Sequence, residues 1–169
     1  MKVVLVGTVA SSIFGFRKLL LESLVRAGHE VHILATDVSP QIKQRAKNEL
    51  KVHAHKYSLA RTGMNPFVDL KNAVKLYILL RSIRPDCVFC YFSKPVIWGA
   101  FASRLAGVKK RYGMLEGLGY YFTYNPNNNG AKKTFIRRIQ VVLFRFALPS
   151  LSGLLVLNPD DKRELIDEC

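Results

Sequence analysis

The chain has 169 residues, of which 49% are hydrophobic and 22% are charged, with 26 Lys and Arg against 12 Asp and Glu. These proportions exclude a disordered polymer, and the length suits one domain, residues 1–169, with a single substantial core. The formal net charge of +14 indicates an anionic partner, which composition leaves open as nucleic acid, an anionic membrane or a phosphorylated substrate.

Strands and helices alternate along the chain. Runs of apolar and β-branched residues predict strands at 2–6, 31–35, 52–59, 87–92, 112–115 and 154–157. Helical spacing and proline or glycine boundaries predict helices at 16–27, 40–50, 68–82, 95–106 and 132–146, and one that begins near 159. This alternation predicts an α/β, Rossmann-like parallel sheet with helices on both faces.

Every apolar run is too short to cross a membrane, which takes about 18 residues. The first run, MKVVLVGT, is also too short for a signal peptide's apolar core, and the run from Ile139 to Leu148 is interrupted by Arg145. We therefore expect a cytosolic protein, or one that lies on a membrane without crossing it.

Two of the three cysteines, Cys87 and Cys90, form a CxxC inside the apolar run DCVFCYF. Residues three apart on a strand point to opposite faces, so this pair does not suit a shared metal or a redox disulfide. We expect ordinary buried thiols in a reducing compartment.

The stretch RYGMLEGLGYYFTYN (111–125) reads as a strand followed by a carboxylate, two glycines and a cluster of aromatics. Glu116 is the only acidic residue between Asp86 and Asp160, in a segment with ten Lys and Arg. Gly117 and Gly119 allow sharp turns and close approach to a ligand. The pattern fits a binding loop, and it fits equally a packed aromatic turn with a surface glutamate.

The loop after the first strand, GTVASSIFGF, resembles a phosphate-binding turn. It combines a glycine with three hydroxyl residues, Thr8, Ser11 and Ser12, ahead of a helix start. Its glycines do not match GxGxxG, and Asp37 alone falls where a ribose-binding acid would, so a nicotinamide-nucleotide site has little support. The four histidines show no metal-site spacing, and we expect no metal ligands.

The helix from Lys132 to Phe146 mixes apolar and basic residues. Six apolar positions form a predicted core stripe: Phe135, Ile136, Ile139, Val142, Leu143 and Phe146. Val141 and Phe144 lie off that stripe among arginines. Two interpretations remain open, a core helix with a basic rim and a helix on an anionic membrane surface.

Four segments in series resemble the N-terminal domain of family-4 glycosyltransferases. They are FRKLLLESLVRAGHEVHIL, YSLARTGMNPFVDLKNAVKLYILLRSIRPD, KPVIWGAFASRLAGVKKRYGMLEGLGYYFT and VLNPDD. The resemblance covers nearly the whole chain and points to bacterial enzymes that build O-antigen (lipopolysaccharide), capsule or other glycans on a lipid carrier.

That resemblance implies half of a GT-B fold, in which two Rossmann-like domains face each other across a cleft. The N-terminal domain would hold the acceptor, and a C-terminal domain, absent here, would hold a nucleotide sugar as co-substrate. The implied reaction is hexosyl or N-acetylhexosaminyl transfer with retention of configuration, without metal or other cofactor. The chain would then be a fragment of a longer polypeptide, inactive alone.

The resemblance also implies site residues. Ser11, Ser12 and Arg17 would face the cleft and meet phosphate oxygens. The acceptor side would be lined by Arg61, Asn65, Lys94, Glu116, Gly117, Gly119 and Tyr120. Glu116 is a weak candidate for a catalytic group, and no other is indicated. Many relatives carry a histidine after the fourth strand, where this chain has Tyr91-Phe92-Ser93.

The implied acceptor is undecaprenyl-diphosphate-linked, so the basic helix from Lys132 to Phe146 would face an anionic bilayer. We expect a cytoplasmic protein, peripheral on the inner face of the cytoplasmic membrane. Two alternatives stay open. One is a non-catalytic Rossmann-like subunit that recruits a separate catalytic chain to membranes. The other is a basic nucleic-acid-binding module, for which no motif matches.

Overall fold

The computed structural model describes residues 1–59, 66–119, 122 and 130–169. The strands in chain order are β1 Lys2–Val6, β2 Glu30–Ala35, β3 His53–Lys56, β4 Cys87–Tyr91, β5 Lys110–Leu115 and β6 Gly153–Val156. The helices are α1 Ser11–Phe14, α2 Lys18–Arg26, α3 Pro40–Arg45, α4 Pro66–Ile83, α5 Ser93–Leu105, α6 Ala131–Ala147 and α7 Pro159–Glu168. A π-helical turn, Ala46–Leu50, extends α3.

All six strands are parallel, in the order β3-β2-β1-β4-β5-β6. The predicted α/β, Rossmann-like sheet is therefore confirmed. Strands β1 and β4 are neighbours although two strands separate them in sequence, so the chain reverses its direction of growth between them. Ligands in open parallel sheets bind beyond the carboxyl ends of the strands at such a switch point. The extent of the domain over 1–169 stays a prediction.

Two hydrophobic cores lie on opposite faces of the sheet because side chains alternate along each strand. One core joins Leu5 and Ile33 to α1, α2 and the π-helical turn. The other joins Val4 and Val88 to α4, α5 and α6. The helices therefore cover both faces, as predicted.

The two cysteines of the CxxC follow the same alternation. Cys90 is fully buried in the core beneath α5, where desolvation raises the pKa of its thiol. Cys87 is half-buried against the opposite core. The prediction that the pair points to opposite faces is confirmed, and it rules out a direct disulfide between them.

Three histidines meet at the β2–β3 edge of the sheet. The His32 Nδ1 and His55 Nε2 atoms are 2.9 Å apart, and His32 Nε2 lies 2.8 Å from a Glu30 carboxylate oxygen. Burial, with His32 and His53 nearby, lowers the pKa of His55 to about 4. His55 is therefore neutral at pH 7, which fits a structural hydrogen-bonded cluster. Within the described ranges, no group of three or more His, Cys, Asp or Glu has metal-binding geometry.

The core stripe predicted for α6 is wrong in orientation. Phe144 is 0% exposed and Val141 is 7% exposed, whereas Phe135 and Phe146 are 64% and 69% exposed. The inward face contains a buried polar residue, Gln140, whose amide donates a hydrogen bond to the Leu118 carbonyl at 3.3 Å. Counting apolar positions missed this face because a glutamine occupies its centre.

Ion pairs hold the last helix against α6. An Arg137 Nη2 atom lies 2.6 Å from Glu164 and 3.1 Å from Glu168. Leu165 is buried in the same core as Phe144. The basic residue Arg137 is thus used within the fold. Arg138 and Arg145 are exposed, and Arg145 Nε also donates to the Glu168 carbonyl at 2.8 Å.

The first predicted helix also differs from the structure. It was expected to begin at Phe16, but a four-residue helical turn ends at Phe14 and α2 begins at Lys18. Phe16 lies between them and is 89% exposed. Gly28 follows α2 at φ +77°, the conformation expected of a helix-terminating glycine. No helix in the described part of the chain is long and apolar enough to cross a bilayer.

Candidate functional site

Three segments meet beyond the carboxyl ends of β1, β4 and β5. They are the loop after β1 (residues 7–17), the turn after β4 (92–94) and the loop after β5 (116–119). β4 pairs with both β1 and β5, so these segments are consecutive along one edge of the sheet. Because all the strands are parallel, the loops that follow them lie at the same edge of the sheet, as the sequence predicted.

Side chains that directly follow β2 and β3 fix the loop after β1. The backbone N–H of Ala10 donates to Asp37 Oδ1 at 2.6 Å, and Thr36 Oγ1 donates to the Thr8 carbonyl at 2.7 Å. The hydroxyl of Tyr57 donates to the Gly7 carbonyl at 2.5 Å. Asp37 therefore orders the loop's own backbone, and the loop is preorganised before any ligand arrives.

Tyr91, the last residue of β4, occupies the centre of the switch point. Its side chain is fully buried, and its hydroxyl lies 3.0 Å from Ser12 Oγ. Ser12 Oγ donates its proton to the Val9 carbonyl at 2.7 Å, so the Tyr91 hydroxyl is the donor to Ser12. Burial raises the pKa of Tyr91, which keeps this hydroxyl protonated. The sequence marked Tyr91 only as a departure from the family pattern.

Gly7 is required at this position by the Tyr91 ring. A Cβ atom on Gly7 would overlap the ring directly. We expect Gly7→Ala to displace Tyr91 and to lower the free energy of unfolding by about 1 to 3 kcal/mol, the usual cost of overpacking a core. Urea unfolding followed by circular dichroism measures this difference.

Gly130→Ala is the matched control for Gly7→Ala. Gly130 has φ −65° and ψ 153°, which any residue adopts, and nothing lies within 4 Å of its Cβ position. This control should change the free energy of unfolding by less than about 0.5 kcal/mol. Equal effects of the two substitutions would contradict the contact between Tyr91 and the loop.

Arg17 and Glu116 form an ion pair that joins the first loop to the loop after β5. Their side chains are only 11% and 21% exposed. The Arg17 guanidinium carbon also lies 4.3 Å from the centroid of the Tyr91 ring. Burial lowers the pKa of Arg17, an effect that the neighbouring Tyr91 opposes. Among the described residues, Arg17 Nε has no hydrogen-bond partner.

The turn after β4 ties into the same loop. Ser93 Oγ lies 3.5 Å from the Gly117 carbonyl and 3.4 Å from the Leu118 carbonyl. Phe92 adopts φ +73°, an uncommon conformation for a residue with a side chain, and such positions are frequent near functional sites. The turn and the glycine loop are thus held together at the centre of the edge.

The predicted site residue Lys94 is engaged by a buried acid. Its Nζ atom lies 2.9 Å and 3.1 Å from the two carboxylate oxygens of Asp69. The side chains of Lys94 and Asp69 are 13% and 3% exposed, so the pair links the first turns of α4 and α5. The charge of Lys94 is therefore matched within the fold.

Two glycines of the loop after β5 have conformations that favour glycine. Gly117 has φ +127° and Gly119 has φ +92°, while nothing lies within 4 Å of either Cβ position. The reason for glycine at these two positions is therefore conformational and not a lack of space.

The structure brings together Ser12, Arg17, Glu116 and Gly117, with Ser11 exposed at the start of α1. Arg61, Asn65 and Tyr120 lie outside the described residues. A separate apolar cleft of about 640 Å³ lies between α6, β6 and α7, lined by residues such as Leu148, Val156 and Ile166. None of the predicted site residues that the structure describes lines that cleft. The roles of all the predicted site residues stay predictions.

Among curated proteins, the chain is similar to an N,N'-diacetylbacillosaminyl-diphospho-undecaprenol alpha-1,3-N-acetylgalactosaminyltransferase of Campylobacter jejuni. The two are 25% identical over 159 residues, which is 94% of this chain and 40% of that relative. The chain thus spans less than half the length of this relative.

Among solved structures, MurG of Acinetobacter baumannii superposes with a TM-score of 0.57 and 16% identity, over 95% of this chain and 42% of that one. UDP-GlcNAc 2-epimerase of Neisseria meningitidis superposes with a TM-score of 0.60 and 17% identity, over 99% of this chain and 44% of that one. These likenesses support the fold, a Rossmann-like half of a GT-B architecture.

The glycosyl transferase 4-like family model matches residues 2–149, most of the chain. The match spans the loop after β1, Tyr91 and the Arg17–Glu116 pair. The resemblance to the N-terminal domain of family-4 GT-B enzymes is thereby confirmed: this chain belongs to the glycosyl transferase 4-like family.

Proposed function

We propose that this chain is the acceptor-binding N-terminal domain of a retaining glycosyltransferase. The full enzyme would move a sugar from a nucleotide sugar to a saccharide linked to a polyprenyl diphosphate, in cell-surface glycan synthesis. The observation that carries the proposal is the position of Arg17. Its guanidinium lies at the switch-point edge of a family-4 domain, paired with Glu116 at the start of the glycine loop 116–119.

The chemistry of Arg17 suits a diphosphate. A guanidinium presents planar N–H donors that pair with phosphate oxygens in a bidentate geometry. Glu116 and the Tyr91 ring orient the side chain from two sides. Arg17 Nε is buried and has no partner among the described residues, so the fold leaves one N–H of this guanidinium unsatisfied.

In the proposed reaction, the bond between the sugar's anomeric carbon and the nucleoside diphosphate breaks. A bond forms from the same carbon to an acceptor hydroxyl, which loses its proton, and the nucleoside diphosphate leaves. The donor would be held by a second domain, so this chain alone would bind acceptor without turnover. No metal and no cofactor besides the nucleotide sugar takes part in the proposal.

The Campylobacter jejuni relative supports the class of acceptor. Its name describes N-acetylgalactosamine transfer to a sugar on diphospho-undecaprenol. We extend to this chain only an undecaprenyl-type diphosphate-linked acceptor and a hexosyl or N-acetylhexosaminyl donor.

We also propose a peripheral position on the cytoplasmic face of the membrane. The proposal rests on the exposed face of α6. Its apolar residues are Phe135, Val142 and Phe146, and its exposed arginines are Arg138 and Arg145. Aromatic and aliphatic side chains among arginines suit an anionic lipid surface. This exposed set replaces the Val141 and Phe144 that the sequence pattern indicated.

Calorimetric titration of the chain tests the acceptor assignment. One arm uses a short-chain polyprenyl-diphosphate-linked disaccharide, and the second uses UDP-GlcNAc. We expect saturable binding of the first and none of the second. If UDP-GlcNAc bound and the diphosphate-linked disaccharide did not, the assignment of this chain as the acceptor-binding domain would be contradicted.

A further inference from the structure

We propose that the outward face of α4 is a second membrane-docking surface, which binds anionic lipid headgroups through lysines and inserts aliphatic side chains between them. This inference rests on the proposed peripheral membrane position. Leu70, Val74 and Ile78 lie four residues apart, on one face of the helix, and are 55%, 50% and 59% exposed. The opposite face, with Leu76 and Leu80, is buried in the core.

Exposed cations border this aliphatic face. Lys71, Lys75 and Arg81 are exposed on α4. The only acidic residue of α4 is Asp69, which is 2% exposed and bonded to Lys94. Neither α5 nor α6 contains an acidic residue. The surface of the α4–α5–α6 layer is therefore apolar and basic, without an exposed carboxylate of its own.

The exposed apolar residues of α4 and those of α6 lie on the same side of the domain. Helices α4, α5 and α6 all pack on one core, against the same face of the sheet. Between them, α5 is buried from Pro95 to Ala100, which leaves α4 and α6 as the outer helices. A planar lipid surface can therefore contact both helices.

The charge pattern favours lipid over a second copy of the chain. A two-fold contact through α4 would place Lys71, Lys75 and Arg81 near their own copies without carboxylates to pair with them. Anionic headgroups neutralise the same side chains. Lysines and arginines also cover apolar surface with their stems while their charges stay at the interface.

Sedimentation with large unilamellar vesicles of phosphatidylcholine, with and without phosphatidylglycerol, tests this inference on the full chain. We expect wild type to bind the anionic vesicles, and Leu70→Gln/Ile78→Gln to lower the partition coefficient at least about tenfold. Lys71→Gln/Lys75→Gln should lower it about fivefold per charge and reduce its salt dependence. The matched control is Leu19→Gln/Ile166→Gln, which alters exposed aliphatics on α2 and α7 and should leave binding unchanged.

The outcomes separate this inference from the proposed function. If wild type binds and Phe135→Gln/Phe146→Gln abolishes binding while Leu70→Gln/Ile78→Gln does not, the role of α4 is overturned and the membrane position stands. If wild type does not bind anionic vesicles, both are overturned, whereas the acceptor titration is unaffected. Loss of self-association in the α4 variant, measured by analytical ultracentrifugation, with unchanged vesicle binding would identify a contact between copies and overturn the lipid assignment.

Discussion

Phe144→Ala is expected to lower the free energy of unfolding by about 3 to 5 kcal/mol, and Phe146→Ala by less than about 0.5 kcal/mol. The two residues are alike in chemistry and two positions apart on α6. Phe144 is fully buried, with its ring centroid 6.4 Å from that of Phe122, whereas Phe146 is 69% exposed. Urea unfolding of both variants measures the difference.

Phe144→Leu keeps this comparison informative if Phe144→Ala does not fold. It removes less volume, so a folded protein with a smaller loss of stability is expected. If Phe146→Ala were the more destabilising of the two alanine substitutions, α6 would face the core with the stripe that its apolar pattern suggested. The exposed aromatic surface proposed to meet the membrane would then not exist.

Arg17→Ala is expected to weaken binding of the diphosphate-linked acceptor by at least about 30-fold, since loss of a charged partner from a largely buried site costs 2 kcal/mol or more. Arg17→Lys keeps the charge but loses the planar fork, so its affinity should lie between those of wild type and Arg17→Ala. Calorimetric titration measures each affinity.

Two control variants accompany Arg17→Ala. Arg26→Ala removes an equal charge from the far end of α2 and should leave acceptor affinity nearly unchanged. Glu116→Gln keeps a hydrogen-bond acceptor beside Arg17 and removes the carboxylate's charge, so acceptor binding should persist. Equal losses from Arg17→Ala and Arg26→Ala would show that net charge, and not a site, attracts the ligand.

The strands were predictable because their residues leave little choice. Val3 to Val6 is apolar on both faces, as a central parallel strand must be, Val31 to Leu34 is apolar except for His32, and glycines or polar residues end each run. When strands and helices alternate along a chain, few packing arrangements other than a parallel sheet covered by helices are stable. The approach of Ser12, Arg17 and Glu116 to one edge followed from that topology.

Contacts between distant side chains were less predictable. Lys94 carries a charge that suits a phosphate, but its partner Asp69 comes from another helix, and their pairing depends on how two helix starts lie side by side. The sequence around Tyr91 did not indicate its role, because that role depends on a contact with a distant residue. The Tyr91 ring occupies the space that a Cβ on Gly7 would need. The orientation of α6 depended on Gln140, a polar residue that finds a carbonyl partner in the core.

Amide chemical-shift mapping by NMR during titration with a short-chain polyprenyl-diphosphate-linked disaccharide tests the central claim most directly. We predict that the perturbed amides cluster in the loop after β1 (7–17) and at 116–119, and that Arg17→Ala strongly reduces these perturbations at a ligand concentration that just saturates the wild type. Perturbations confined to the cleft between α6, β6 and α7, or their absence at saturating ligand, would contradict an acceptor site at the switch-point edge.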